Sequence, residues 1–152
     1  MARPIPEGFH NVTPYLTVDD ADGAIRWYGE TFGAVELFRL PWGDKVGHAE
    51  IRIGDSHVML ADESPESDTR SPRGLGATTG ALLLYVEDVD AVFARAIAAG
   101  ATALRPVEDQ FYGDRAGRLR DPFGHEWMLA THVEDVSPEE MERRMAGMAP
   151  EC

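Results

Sequence analysis

The stretch Leu16-Thr17-Val18-Asp19-Asp20, followed by a helical pattern ending at Phe32-Gly33-Ala34, occurs a second time as Leu84-Tyr85-Val86-Glu87-Asp88, with a helical pattern ending at Ala99-Gly100-Ala101. An internal repeat fixes architecture before any single residue is interpreted. Each copy reads as strand, acidic cap, helix and glycine stop. Ile25, Tyr28 and Phe32 recur at helical spacing in the first copy; Val92, Phe93, Ala96 and Ile97 do so in the second. Asp20 and Asp88 suit the N-cap, where a carboxylate accepts from helix N–H groups that have no partner within the helix. Gly33 and Gly100 suit the left-handed position that follows a helix end.

The repeat extends further. Strand-like runs follow each helix: 35–40, 48–53 and 57–61 in the first half, then 102–106, 117–120 and 126–130 in the second. The turn Gly54-Asp55-Ser56 is matched by Asp121-Pro122-Phe123-Gly124, and Val58-Met59-Leu60-Ala61 by Trp127-Met128-Leu129-Ala130. The fold class is therefore α+β, two βαβββ modules in tandem over about residues 10–63 and 80–132 of a single domain spanning 1–152. Residues 64–79, rich in Ser, Pro, Asp, Gly and Arg without apolar periodicity, read as a linker or mobile loop. Ser137-Pro138-Glu139-Glu140 has the capping-box form and opens a short C-terminal helix over about 137–146, outside the repeat.

Composition bounds the function classes. The 152 residues are 43% apolar and 27% charged, ordinary for a globular chain. No run approaches the roughly 20 apolar residues of a membrane-spanning helix, and the start Met-Ala-Arg-Pro-Ile-Pro lacks a signal-peptide segment, so a cytoplasmic location is expected. The single cysteine, Cys152, allows neither an internal disulfide nor a cysteine metal cluster. Twenty-seven acidic against fourteen basic residues give a net charge of −13, which repels phosphate backbones and anionic membranes. Neither nucleic acid nor membrane is expected as a partner. The charge serves solubility, and it would also attract a cationic small molecule.

Strand side chains alternate between faces. Val12, Leu16 and Val18 form one set and Thr13, Tyr15 and Thr17 the other; in the second half Leu82, Leu84 and Val86 oppose Ala81, Leu83 and Tyr85. Ile51 and Ile53 oppose His48, Glu50 and Arg52; Val58 and Leu60 oppose His57, Met59 and Ala61; Trp127 and Leu129 oppose Glu126, Met128 and Ala130. The second sets mix small, aromatic, sulfur and polar groups, a lining suited to a concave small-molecule site. A sheet face that is part core and part solvent would carry the same mixture.

The duplicated pattern resembles the vicinal-oxygen-chelate superfamily of glyoxalases, bleomycin-resistance proteins and dioxygenases. The phrases that carry it are Pro14-Tyr15-Leu16-Thr17-Val18-Asp19-Asp20, Trp27-Tyr28, Gly113-Asp114-Arg115 and Asp121-Pro122-Phe123-Gly124-His125-Glu126-Trp127. Within it the chain is similar to the PhnB-like branch. The resemblance, over roughly 10–135, implies modules whose sheets curl around a shared cavity, in a homodimer. It also implies that the metal ligands of metal-dependent members fall here on Thr13, Met59, Ala81 and Met128. A threonine hydroxyl is a weak ligand, alanine offers none, and thioethers prefer soft ions. No cofactor is expected, with a divalent metal as the alternative.

Other chemistry is confined to small groups. His48 and Glu50, two apart on a strand, share a side, with His57 on a neighbouring strand; they could serve as an acid/base pair or as part of a metal site. Either that or a solvated pair fits the residues. Arg115, Arg118 and Arg120 could clamp an anionic group, or simply pair with nearby acids such as Asp114 and Asp121. Tyr15, Tyr85, Phe111 and Tyr112 could stack on a planar ligand or pack conventionally, and His125 is expected to stabilise its own turn. Ligand-binding candidates are thus Thr13, Tyr15, His48, Glu50, His57, Met59, Ala81, Leu83, Tyr85, Phe111, Tyr112, Arg118 and Met128. Three functions follow: a metal-independent small-molecule binder, a lyase, isomerase or dioxygenase working through His48 and Glu50, or a partner-interaction module, which would need an exposed apolar patch distinct from the dimer interface.

Overall fold

The computed structural model describes residues 1–148; Cys152 lies outside the described residues. The chain divides into two compact units, one comprising Met1–Thr79 with Phe123–His125, the other Gly80–Pro122 with the described residues from Glu126 onward.

In the first unit the elements run β1 (Tyr15–Val18), α1 (Ala21–Phe32), β2 (Val35–Trp42), β3 (Lys45–Ile53) and β4 (Ser56–Asp62), followed by a 3₁₀ turn (Pro65–Ser67) and the one-turn helix α2 (Pro72–Leu75). The second unit holds β5 (Ala81–Tyr85), α3 (Val89–Ala98), β6 (Thr102–Asp109), β7 (Asp114–Arg120), β8 (Glu126–His132) and α4 (Pro138–Ala146). The two sheets share one plan, β1-β4-β3-β2 and β5-β8-β7-β6, each with one parallel pair followed by two antiparallel ones. This is the duplicated βαβββ architecture.

The caps are where the repeat places them. Asp20 Oδ1 accepts from Gly23 N at 3.0 Å and Asp88 Oδ1 from Ala91 N at 3.1 Å, each interaction stabilising its helix by about 1 kcal/mol. Gly33 closes α1 in the left-handed conformation, whereas α3 ends on Ala99 with Gly100 one residue beyond. Ser137 caps α4 by accepting from Glu140 N at 3.2 Å.

The alternation of faces is largely as expected. Leu16, Val18, Ile51, Ile53, Val58 and Leu60 are buried beneath α1, whose Ile25, Tyr28 and Phe32 are buried too. In the second unit Leu119, Trp127 and Leu129 are buried with Val89 and Ala96 of α3. Val12 does not belong to the inner set: it precedes β1 and is 83% exposed.

Two expectations need correction. The edge strands β2 and β6 run past the prolines at which the sequence suggested they stop, reaching Trp42 and Asp109. Proline has no N–H to donate, and it is tolerated where the ladder is irregular; register shifts lie between Leu40 and Pro41, and between Arg105 and Glu108. Residues 64–79 are more than a linker: Ser71 is fully buried, its N–H donates to Glu63 Oε1 at 3.0 Å, and its hydroxyl accepts from Gly74 N as the cap of α2. In addition, His125 Nε2 meets the Thr17 carbonyl of β1 at 2.9 Å, a long-range tie within the first unit.

Corresponding positions in the two sheets anchor the helices through different chemistry. Asp62, ending β4, accepts from Ala21 N and Val46 N, both at 2.7 Å. Its counterpart Thr131 accepts from Val89 N at 3.0 Å and donates to the Val86 carbonyl at 2.8 Å. In both units the first helical N–H is thereby satisfied from the last strand.

Candidate functional site

The pairing register decides which side chains share a face. In the first unit Tyr15 stands opposite Met59, Met59 opposite Glu50, and Glu50 opposite Phe38. The second unit sets Leu83 against Met128, Met128 against Arg118, and Arg118 against Arg105. Met59 and Met128 are therefore equivalent, and Glu50 of one sheet corresponds to Arg118 of the other.

On the first sheet, the Tyr15 hydroxyl lies 2.8 Å from His48 Nδ1, and His48 Nε2 lies 3.5 Å from Glu50 Oε1. Burial pushes the Tyr15 phenol above its ordinary value, so it remains protonated and donates to Nδ1 when Nε2 carries the ring proton. That tautomer turns its N–H toward Glu50. The rings of Tyr15 and Phe38 flank His48 with centroids at 5.5 and 5.7 Å. His57 does not join this group: its ring packs on Phe9 at 4.0 Å, and its Nδ1 is buried without a hydrogen-bond partner among the described residues.

Thr13, Glu50 and Met59 line a pocket of about 430 Å³ whose other wall is the segment Pro4–Asn11. The sequence offered no periodic signal for that segment. Its prolines exclude a regular ladder, and its apolar Ile5 and Phe9 are the sole hint that it packs on anything.

In the second unit, Phe111, Tyr112, Arg118 and Met128 meet in a pocket of about 650 Å³ that also takes in Arg105, Glu108, Gln110 and Met148. Both volumes fall within the range typical of small-molecule sites. Arg144 of α4 secures this pocket's loop, donating to the Phe111 carbonyl at 3.0 Å while paired with Glu134 at 2.8 Å. Ala81, Leu83 and Tyr85 stand on the same face of β5, exposed, and are not among the lining residues of this pocket.

The arginines pair with acids other than those the sequence suggested. Arg115 holds Asp90 and Asp109; Arg118 donates through Nε and Nη2 to Glu126 Oε1; Arg120 approaches Glu126 Oε2 at 3.7 Å. Asp121 instead accepts from Trp127 Nε1, and buried Asp114 accepts from the Tyr85 hydroxyl at 2.8 Å.

Asp114 also binds His132 Nδ1 at 2.8 Å, and His132 Nε2 reaches Asp135 at 2.7 Å. Hydrogen bonds to Asp114 and then Asp135 hold the His132 imidazole above its ordinary pKa, and the Asp114 bond likewise raises the Tyr85 phenol. His132 was not among the expected residues. The hairpin register does reveal it: extending the Arg120–Glu126 pair outward from the turn brings Asp114 opposite His132.

The metal-ligand positions implied by the family hold Thr13 and Met59 in the first unit, Ala81 and Met128 in the second. This donor set does not fit a hard divalent ion. Among the described residues no three His, Cys, Asp or Glu side chains group as metal ligands.

Comparison with known proteins agrees with this architecture. An uncharacterised protein of Mycobacterium bovis is 45% identical over 139 residues, covering 89% of this chain and 91% of that protein. The crystal structure of TioX from Micromonospora sp. ML1 is 33% identical with a TM-score of 0.65, covering 82% of this chain and 99% of TioX. The PhnB protein from Bacillus cereus, 20% identical with a TM-score of 0.61 over 80% of this chain and 99% of that one, shares the fold. The model of the Glyoxalase/Bleomycin resistance protein/Dioxygenase superfamily matches residues 8–129, and the chain belongs to that superfamily.

Proposed function

We propose that this protein is a small-molecule-binding member of the superfamily, of the PhnB-like branch, that holds an organic ligand without the family's metal. The observation that carries the reading is the replacement at equivalent strand positions: Met59 and Met128 each line a pocket where a metal enzyme would present a hard donor. Thioethers are polarizable and conformationally adaptable, so they suit an apolar wall against a planar or irregular ligand. Phe111 and Tyr112 beside Met128, and Phe9 beside Met59, add aromatic surface. We place the protein in the cytoplasm as a homodimer. Among the described residues no helix is long and apolar enough to cross a membrane. Val35, Leu40 and Trp42 of β2 are exposed, an apolar surface that self-association would cover.

A second reading rests on the Tyr15–His48–Glu50 chain of contacts, which could relay a proton to or from a substrate on the first sheet. The two readings separate in one experiment. Protein purified without chelator is assayed for metal by elemental mass spectrometry and then screened by thermal shift against metabolites and antibiotics. The binding reading expects substoichiometric metal and specific stabilisation, about 2.7 kcal/mol for a ligand at 100 times its Kd. Stoichiometric divalent metal that is lost in the His48→Ala, Glu50→Ala double variant would overturn it in favour of an enzyme. A flat response across a broad panel would count against ligand binding itself.

A further inference from the structure

The pocket of the second unit carries an electrostatic signature opposite to that of the chain as a whole. Arg105 and Arg118 are direct partners across β6 and β7, and both line the pocket. Like charges placed opposite each other on antiparallel strands repel, and the arrangement is relieved when an anion lies between them. The local carboxylates supply an anion to Arg118 and not to Arg105. Glu126 is shared by Arg118 and Arg120, while Asp90 and Asp109 are both held by Arg115. Among the described residues Arg105 has no ion-pair partner, although the chain has 27 acidic residues to 14 basic ones. Glu108 lines the same pocket without approaching Arg105 as an ion pair; it is paired with Ala116, beyond the bulge. Phe111, Tyr112 and Met128 supply the pocket's apolar surface, Met128 directly across from Arg118.

We infer that this pocket takes a ligand with a carboxylate or similar planar anionic group, seated at the Arg105–Arg118 pair, and an aromatic or apolar body against Phe111, Tyr112 and Met128. Guanidinium recognises a carboxylate through two parallel N–H donors, which gives orientation as well as affinity. On the equivalent row of the first sheet the corresponding charge is Glu50, so the anionic preference belongs to the second unit alone. This inference rests on the binding reading above and specifies its ligand class. It also reverses the cationic preference that the net charge by itself suggests.

The test uses the full chain and three probes of one shape: 2-naphthoate, its neutral amide, and 2-naphthylmethylamine, titrated by calorimetry. The acid should bind saturably, about tenfold or more tighter than the amide. Arg105→Gln should remove that preference by weakening the acid. Arg105 suits substitution because it is exposed on an edge strand, whereas removing Arg118 would leave Glu126 to its longer 3.7 Å contact with Arg120. Raising the salt concentration should weaken the acid and not the amide. Equal affinity for acid and amide, an amine preference, or an acid preference that survives Arg105→Gln would each overturn the anionic assignment while leaving a binding protein. Failure of all three probes to bind would overturn the assignment as well. A flat response of the broad thermal-shift panel would then bring down the binding reading with it.

Discussion

Replacing Gly113 by alanine should destabilise the second unit far more than an ordinary glycine substitution does, because two independent costs coincide there. Gly113 has φ +103°, and a Cβ at that position would lie 2.1 Å from the Glu134 carbonyl oxygen and 3.1 Å from Val136 Cγ2. An acceptable C···O contact requires the two segments to separate by about 1 Å. They are joined by Val133 N and Glu134 N, which donate to the Gly113 carbonyl at 2.9 and 3.0 Å, so the shift breaks both bonds at about 1 kcal/mol each. The left-handed backbone adds about 1–2 kcal/mol for any residue with a side chain. The sum is about 3–4 kcal/mol. Gly54→Ala is the internal control: φ is +58° and nothing lies within 4 Å of its Cβ, so only the backbone cost of about 1–2 kcal/mol applies. Urea unfolding followed by circular dichroism measures both variants. Hydrogen exchange on peptides spanning 130–137 should accelerate in Gly113→Ala only. The reasoning fails if Gly113→Ala is no less stable than Gly54→Ala, or if exchange in that segment is unchanged.

Two further outcomes follow from carboxylates that hold hydrogen bonds across the fold. Asp62→Ala leaves Ala21 N and Val46 N, at residues 0% and 6% exposed, without an acceptor. Each orphaned donor costs about 1–3 kcal/mol, so denaturant unfolding should show a loss of several kcal/mol, and a loss below about 1 kcal/mol would contradict the assigned bonds. His132, whose pKa is raised in the fold by Asp114 and then Asp135, favours its protonated form there. Its contribution is fully present below the ordinary imidazole pKa and disappears as pH rises through the raised folded value. The stability advantage of wild type over His132→Gln, read from urea midpoints, should therefore shrink between mildly acidic and mildly alkaline pH. A difference that is constant or grows across that window would refute the ion pairs.

Much of the architecture was legible because its signals are local and repeated. Asp20 and Asp88 act within one helical turn, Gly33 ends α1 where the periodicity stops, and alternation alone sorts Ile51 and Leu60 from Glu50 and Met59. What escaped depends on long-range pairing. Arg105 falls within the strand expected over 102–106, but only the register of the irregular edge ladder sets it against Arg118. His132 gains meaning from Asp114, eighteen residues earlier, and only through hairpin register. The walls contributed by Pro4–Asn11 and Met148 come from segments without strand or helix periodicity at those residues, so no pattern predicted their place.

Comparing the two modules position by position separates what the fold requires from what the site uses. On the helix-packed faces, the pairs Leu16/Leu84, Ile51/Leu119, Val58/Trp127 and Leu60/Leu129 are all apolar, as burial against a helix demands. On the opposite faces the pairs are Tyr15/Leu83, His48/Ala116, His57/Glu126 and Glu50/Arg118, which differ in size, hydrogen bonding or charge. Apart from Ala116, which is buried, these positions are not packed beneath a helix, so the chemistry of the two faces can differ. Met59/Met128, like Ala61/Ala130, is identical in both modules, and each methionine lines a pocket. Soft, adaptable side chains at these two positions, beside pairs that differ in charge and hydrogen bonding, support the proposed binding of an organic ligand. A hard metal ion would require the reverse, oxygen or nitrogen donors kept at those same two positions while their neighbours vary.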